Sequence, residues 1–284
     1  QRFIIDLTTS YANLCDRVFA PSESVASVIR DRGVIVPIDV VPTGVDTQHF
    51  GRGDRRSLRK ELGIGENAFV VGHLGRLAPE KNLEFLAEAV ALMLNRHRSA
   101  RFLVVGSGPS TEAIQQIFQR RKLADRLHLV GTKSGQELVD AYHAMDVFAF
   151  ASQSETQGMV LTEAMAAGLP VVAVDASGVR EVVIDRKNGR MLPSQDRRQF
   201  AEALAWVASA SADQRRIVRG RLAAIPERRN SAIGARGRQR NVGLRRRDVV
   251  GLVVRSIVVI LGGERVLEVG AEVARAALAR EVVP

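Results

Sequence analysis

Glu155 and Glu163 stand eight residues apart in "SETQGMVLTEAMAAGLPVVA", Ser154 to Ala173, on either side of Gly158 and ahead of a stop at Gly168-Leu169-Pro170. A helix from about Gly158 to Ala167, ended by Gly168 and Pro170, would turn its free N-terminal amides toward a negatively charged ligand. Glu155, in the loop before that helix, then lies beside whatever a bound phosphate carries. Glu163 lies ~7.5 Å further along the axis. Carboxylates at two depths can grip different hydroxyl groups, because each accepts hydrogen bonds from a vicinal diol. One acid on a sugar and one on a ribose would describe a nucleotide-sugar grip. The plainer reading makes Glu155 an acid favoured by the helix dipole and Glu163 a solvated surface acid. Taken alone, the stretch favours that reading.

A second set of charges precedes another helix. "GRLAPEKN", Gly75 to Asn82, places Arg76 and Lys81 near a helix start. Two cations with free backbone amides suit a diphosphate. An exposed helix start with solvated charges fits the same residues equally. "VGSGP", Val105 to Pro109, is a glycine turn that allows close backbone approach, but without a third glycine it is a weak signal and most such turns are only turns. The histidines His49, His73, His97, His128 and His143 match no acid-base motif and read as surface or core residues. No Cys/His cluster has zinc spacing, so no metal is expected, and the lone Cys15 has no intrachain disulfide partner.

These residues need a scaffold, and the sequence between Ala68 and Val174 supplies one. "AFVVGHL", "RFLVVG", "RLHLVG", "DVFAFA" and "LPVVAV" are near-continuous apolar runs, which predict parallel strands covered on both faces. Leu83, Leu86, Ala87, Val90 and Leu94 recur at helical spacing, and Ser134 with Glu137 reads as a capping box ahead of Leu138, Ala141, Tyr142 and Met145. Strand and helix alternate, giving an α/β, Rossmann-like doubly wound parallel sheet. Every candidate residue lies at the carboxyl end of a strand, where such sheets bind ligands. Upstream, "DRVFAPS" and "IDVVPTG" read as short strands around a helical "ESVASVIRDRG". The expected organisation is the end of a preceding domain over 1–47, a linker over 48–66, the ligand-binding domain over 67–210 and an atypical tail over 211–284.

Composition limits the function classes. With 284 residues, 46% of them hydrophobic, the chain can bury a sizeable core and hold two compact units. Its best apolar run, Val249 to Ile260, is broken by Arg255 and Ser256, so no spanning helix is predicted. The chain opens on Gln1 with no signal-peptide pattern, and its beginning is expected to be missing. A reducing cytoplasm is the expected compartment. The net charge of +10 belongs to the tail, where residues 213–284 hold 16 Arg, no Lys and 7 acids. Such a tail suits contact with an anionic membrane surface. No nucleic-acid module appears and no aromatic interleaves the arginines, so nucleic acid is not an expected partner. The tail reads either as disordered or as a frameshifted translation of a GC-rich gene.

The set "GRLAPEKN", "SETQGMVLTEAMAAGLPVV" and "SGVREVV", in this order and at these separations, resembles the retaining glycosyltransferases of family four, which have the two-domain GT-B fold. The resemblance covers roughly Cys15 to Ala208. It implies that Arg76 and Lys81 hold the donor diphosphate, that Glu155 contacts the donor sugar, and that Glu163 contacts the ribose. It also implies that Gly75 belongs to the donor site, that the amides of Thr156, Gln157, Gly158, Met159 and Val160 meet sugar and phosphate, and that backbone at Val130, Gly131 and Thr132 meets the base. Gly178 and Glu181 of "SGVRE" would close the back of the site. The family needs no metal. Residues 1–47 would then be the remnant of an acceptor domain and 67–210 the C-terminal donor-binding domain. Ala151 stands where many members have Pro, and Gln157 where many have an aromatic. Together with "VPTGVD", Val41 to Asp46, these departures resemble the branch that glucosylates diacylglycerol. The implied reaction moves a sugar from a nucleotide diphosphate donor, UDP-glucose by preference, to a lipid or glycan acceptor at the inner face of the membrane. Two alternatives stay open: a non-catalytic nucleotide-sugar-binding fragment, and a GT-B relative such as a phosphorylase or epimerase.

Overall fold

The computed structural model describes residues 2–42, 44–152, 155 and 158–209. The described residues form two compact units, 2–42 and 44–209. In the first, helix α1 (Arg2–Ala12) precedes a parallel βαβ turn made of β1 (Val18–Ala20), α2 (Glu23–Asp31) and β2 (Ile38–Val40), with Val18 opposite Ile38. Ser22 caps α2 by accepting from the Val25 amide at 3.3 Å. A small core of Ala12, Val18, Ala20, Ala26 and Ile29 holds the unit together.

The second unit is built on strands that water does not reach. Strands β3 (Val70–Leu74), β6 (Val147–Phe150) and β7 (Val171–Val174) are buried end to end, and β4 (Arg101–Val105) is buried after its first residue. Strands buried on both faces need helices on both, and the chain supplies them. One face carries α5 (Leu83–Arg96), α6 (Thr111–Arg120) and α10 (Arg197–Ser209), packed over Val71, Phe102 and Val104. The other carries α4 (Arg55–Glu61), α7 (Gly135–Ala144) and α8 (Met159–Ala166), packed over Val70, Leu103 and Phe148. With β5 (Leu127–Leu129) and β8 (Gly189–Leu192) at the edges, the order is β5-β4-β3-β6-β7-β8, all parallel. Counted from β3, this is the doubly wound order 3-2-1-4-5-6, whose direction of winding reverses between β3 and β6.

Three expectations need correction. The stretch expected as a linker, 48–66, folds as part of the second unit, which begins at Gly44 and so also takes in 44–47. Asp46 caps the short helix α3 (Thr47–Phe50) and Asp54 caps α4, while Arg59 of α4 is buried against Asp146 at 2.6 Å and the Ala144 carbonyl at 2.8 Å. A polar segment becomes structure here because Phe50, Leu58 and Ile64 join the core and Arg59, with Arg55 beside it, pairs with Asp146, while the other charges stay in water. The capping box also fails to form: Ser134 precedes α7 but its side chain makes no cap bond, and Glu137 turns to Lys133 at 3.7 Å. Third, β8 was not expected, and it extends the sheet by one edge strand. The tail, 211–284, lies outside the described residues.

Candidate functional site

The loop after β3 is fixed by the loop after β4. Gly75 donates its amide to Val105 O at 3.0 Å and Leu77 to Ser107 O at 2.9 Å, while Ser110 N returns a bond to Leu77 O at 2.9 Å. Gly106 (φ +135°) and Gly108 (φ +152°) make this contact possible, since a Cβ on either would run into the carbonyl of Gly75 or Leu77. The close approach permitted by "VGSGP" is therefore to the neighbouring loop. Gly106 N also bonds Gly131 O at 2.7 Å, which ties in the loop after β5.

A cavity of about 240 Å³ opens where these three loops meet, lined by Leu74, Gly75, Arg76, Val105, Gly106, Ser107, Thr132, Lys133 and Leu138. Thr132 and Ser107 share a hydroxyl contact at 3.1 Å on its wall. Arg76 at its edge is exposed and pairs with Glu80. Val130 is fixed upstream by its amide bond to Val104 O at 3.1 Å. A larger groove of about 810 Å³ lies at the starts of α5 and α10, lined by Pro79, Glu84, Ser110 and Arg197 among others, and no expected site residue reaches it.

Lys81 ends a short 3₁₀ turn, Pro79–Lys81, and Asn82 (φ +54°) then turns the chain into α5. The Lys81 Nζ lies 3.0 Å from Glu155 Oε2, with both side chains largely withdrawn from water. Glu155 is held through its own backbone, whose carbonyl accepts from Gly178 N and Ser177 Oγ, each at 3.1 Å. These residues open α9 (Ser177–Arg180), and Glu181 follows as its C-cap. Gly158 (φ +64°) lies against the carbonyl of Gly178 and leads into Met159 and Val160 at the start of α8. Thr156 and Gln157 lie outside the described residues.

Glu163 is half-buried and accepts a hydrogen bond from Tyr142 Oη at 2.7 Å. Burial raises its affinity for a proton, and the bond from Tyr142 partly opposes that rise. Tyr142 is held well above the ordinary phenol range by burial and by the Glu163 charge. His73, on β3 just before the Gly75 loop, donates from Nδ1 to Ala149 O at 3.0 Å. Burial pushes His73 down to about 4, with the Lys81 charge adding to the fall. His73 is thus a neutral core histidine.

The structure gathers Gly75, Arg76 and Thr132 around the cavity, joins Lys81 to Glu155, and pairs Glu163 with Tyr142. Ser107, Lys133 and Tyr142 are site neighbours that sequence reasoning did not single out. For Ser107 the signal was its place inside "VGSGP"; for the other two, none was available. Among the described residues no group of three or more His, Cys, Asp or Glu could hold a metal, and no helix is long and apolar enough to cross a membrane.

This sheet is that of a Rossmann-like α/β domain, the type found in GT-B enzymes. Residues 54–220 match the family described as "Glycosyl transferases group 1", and the chain belongs to it. It is 34% identical over 180 residues to D-inositol 3-phosphate glycosyltransferase of Saccharomonospora viridis, covering 60% of this chain and 42% of that one. It is 32% identical over 180 residues to GDP-mannose-dependent alpha-mannosyltransferase of Mycobacterium tuberculosis, covering 63% and 44%. The chain thus spans about two fifths of the length of these curated relatives. Among solved structures, Anabaena Alr3699/HepE in complex with UDP and glucose superposes with a TM-score of 0.74 at 23% identity, covering 84% of this chain and 67% of that one. Neither of these two names is that of the diacylglycerol-glucosylating branch that Ala151, Gln157 and "VPTGVD" resemble.

Proposed function

We propose that this chain carries the donor half of a retaining hexosyltransferase, which moves a sugar from a nucleotide diphosphate donor to a lipid, glycan or phosphorylated polyol acceptor. The observation that carries this reading is the row of groups along the carboxyl ends of β3, β4 and β6. A cavity edged by Arg76 is followed by the Lys81–Glu155 pair at the point where the sheet reverses. The base would enter the cavity beside Thr132, the diphosphate would lie between Arg76 and Lys81, and the sugar would meet Glu155. Glu163 would take the ribose hydroxyls. As the glycosidic bond breaks, negative charge grows on the leaving diphosphate. Arg76, Lys81 and the amides of Gly158, Met159 and Val160 would meet it, so the reaction as proposed uses no metal.

UDP-glucose remains the first donor to try. The names of the curated relatives make GDP-mannose its comparison and inositol phosphate an acceptor to test beside lipids and glycans. A peripheral membrane contact rests on the basic tail alone. The test is transfer measured with each donor and acceptor in the presence of EDTA, in protein that carries both the donor and the acceptor halves. Transfer that survives chelation supports the reading. Binding of donor without transfer to any acceptor favours the alternative, a non-catalytic nucleotide-sugar-binding fragment, and epimerised free donor favours an epimerase.

A further inference from the structure

Tyr142 is the largest kind of side chain this unit buries completely, and it carries a polar atom with it. Its ring lies edge-on to Phe50 at 5.8 Å and tilted against Phe148 at 5.8 Å, so packing leaves the ring little freedom. A phenylalanine would fill the same space without the cost of desolvating a hydroxyl. That hydroxyl has two acceptors within reach, Glu163 Oε2 at 2.7 Å and the Val160 carbonyl at 3.5 Å, and the short bond takes the proton. A carboxylate offers about four lone-pair positions. Tyr142 fills one of them on Oε2 and restricts the rotation of the group, and no hydrogen bond to Oε1 is seen among the described residues.

We infer that Tyr142 is a positioning residue that orients the Glu163 carboxylate toward ligand hydroxyls. The inference rests on the proposed reading of Glu163 as the ribose-side acid. It also accounts for a polar atom on a side chain that packs within an apolar core. A ligand diol needs an ionised acceptor, yet burial favours the protonated acid, and the Tyr142 bond works against burial. Other elements packed on α8 bring few groups that titrate: α3 carries the exposed His49 and is capped by Asp46, and β7 carries none. Removing the Tyr142 hydroxyl should therefore both misorient the carboxylate and move its titration upward.

The experiment uses the full chain, with UDP and 2′-deoxy-UDP titrated calorimetrically from pH 5 to 8 into the wild type, Tyr142→Phe and Glu163→Gln. Alongside, the Glu163 carboxyl is followed by carbon NMR without ligand. The expected results for Tyr142→Phe are a roughly tenfold loss of UDP affinity at neutral pH, a smaller ratio between UDP and 2′-deoxy-UDP, and an acid limb displaced to higher pH. The carboxyl should titrate at higher pH in the NMR experiment as well, a readout that a purely packing role would not move. Unchanged affinity, ratio and titration in Tyr142→Phe overturn the inference while leaving the proposed function standing. A wild type that binds no UDP overturns the ribose reading itself.

Discussion

Lys81 Nζ lies 3.0 Å from Glu155 Oε2, and this ion pair bridges the loops after β3 and β6, the two strands between which the sheet reverses. In this arrangement the cation expected to hold a diphosphate is already partnered. A ligand must take Lys81 from Glu155, or share it, and the released carboxylate is then left facing whatever the diphosphate carries.

Glu155→Gln removes that competition. UDP should bind as well as in the wild type or tighter by at least about 1 kcal/mol, the upper end for an exposed pair, because this pair is largely withdrawn from water. Transfer of sugar from the intact donor should fall sharply. Calorimetry with UDP and turnover with donor and acceptor provide the two readings, and a loss of UDP affinity in this variant contradicts the assignment.

Lys81→Ala and Arg76→Ala are expected to lower kcat more than they raise KM in protein competent for transfer. Charge on the diphosphate is greater in the transition state than in the ground state, so a cation there is felt more in the former. The loss should be ~2.7–4 kcal/mol for each, by analogy with removal of an oxyanion donor. An effect on KM alone would show that these residues only bind.

Gly106→Ala should displace the loop that carries Arg76, because the added methyl meets the Gly75 carbonyl and φ is +135°. A loss of at least ~2 kcal/mol in chemical unfolding, with UDP binding impaired, is expected from combined strain and clash. Gly63→Ala is the control. Its φ of +64° carries a cost of ~1–2 kcal/mol, but nothing lies within 4 Å of the new methyl, so ligand binding should be untouched.

His73 gives the fold a pH dependence of definite sign. Its native value near 4 lies below the ordinary 6.5, so on acidification the unfolded chain takes up the proton first. Stability from this residue is intact above about pH 6.5 and falls by roughly 3 kcal/mol between 6.5 and 4. Unfolding of His73→Phe by urea at pH 7 and pH 4.5 should show a smaller drop than the wild type. An equal drop would assign the acid sensitivity to other groups.

The strands were legible in the sequence because burial on both faces leaves no polar alternation, as in Val70–Leu74 and Val147–Phe150. The edge strand Gly189–Leu192 was not, since it mixes Gly and Arg with two apolar residues and is only partly covered. Arg59 shows why 48–66 reads as a linker in the sequence: a buried, paired arginine and a solvated one are spelled identically, and its partner Asp146 lies 87 positions away. For Lys81 and Glu155 the residue types were legible, and their pairing across 74 positions was not. Tyr142 looked like any apolar helix position, because periodicity reports which face is buried and not where a hydroxyl points.

In the proposed function a nucleoside diphosphate lies along the carboxyl edge of this sheet, between the cavity at Thr132 and the Lys81–Glu155 pair. Calorimetric titration of UDP into the wild-type chain and into the Arg76→Ala/Lys81→Ala double variant tests it most directly, with GDP as the comparison nucleotide. Weak, saturable binding at one site is expected in the wild type and no measurable heat in the double variant. A folded wild-type sample that gives no heat with either nucleotide, or a double variant that binds as well as the wild type, would contradict it.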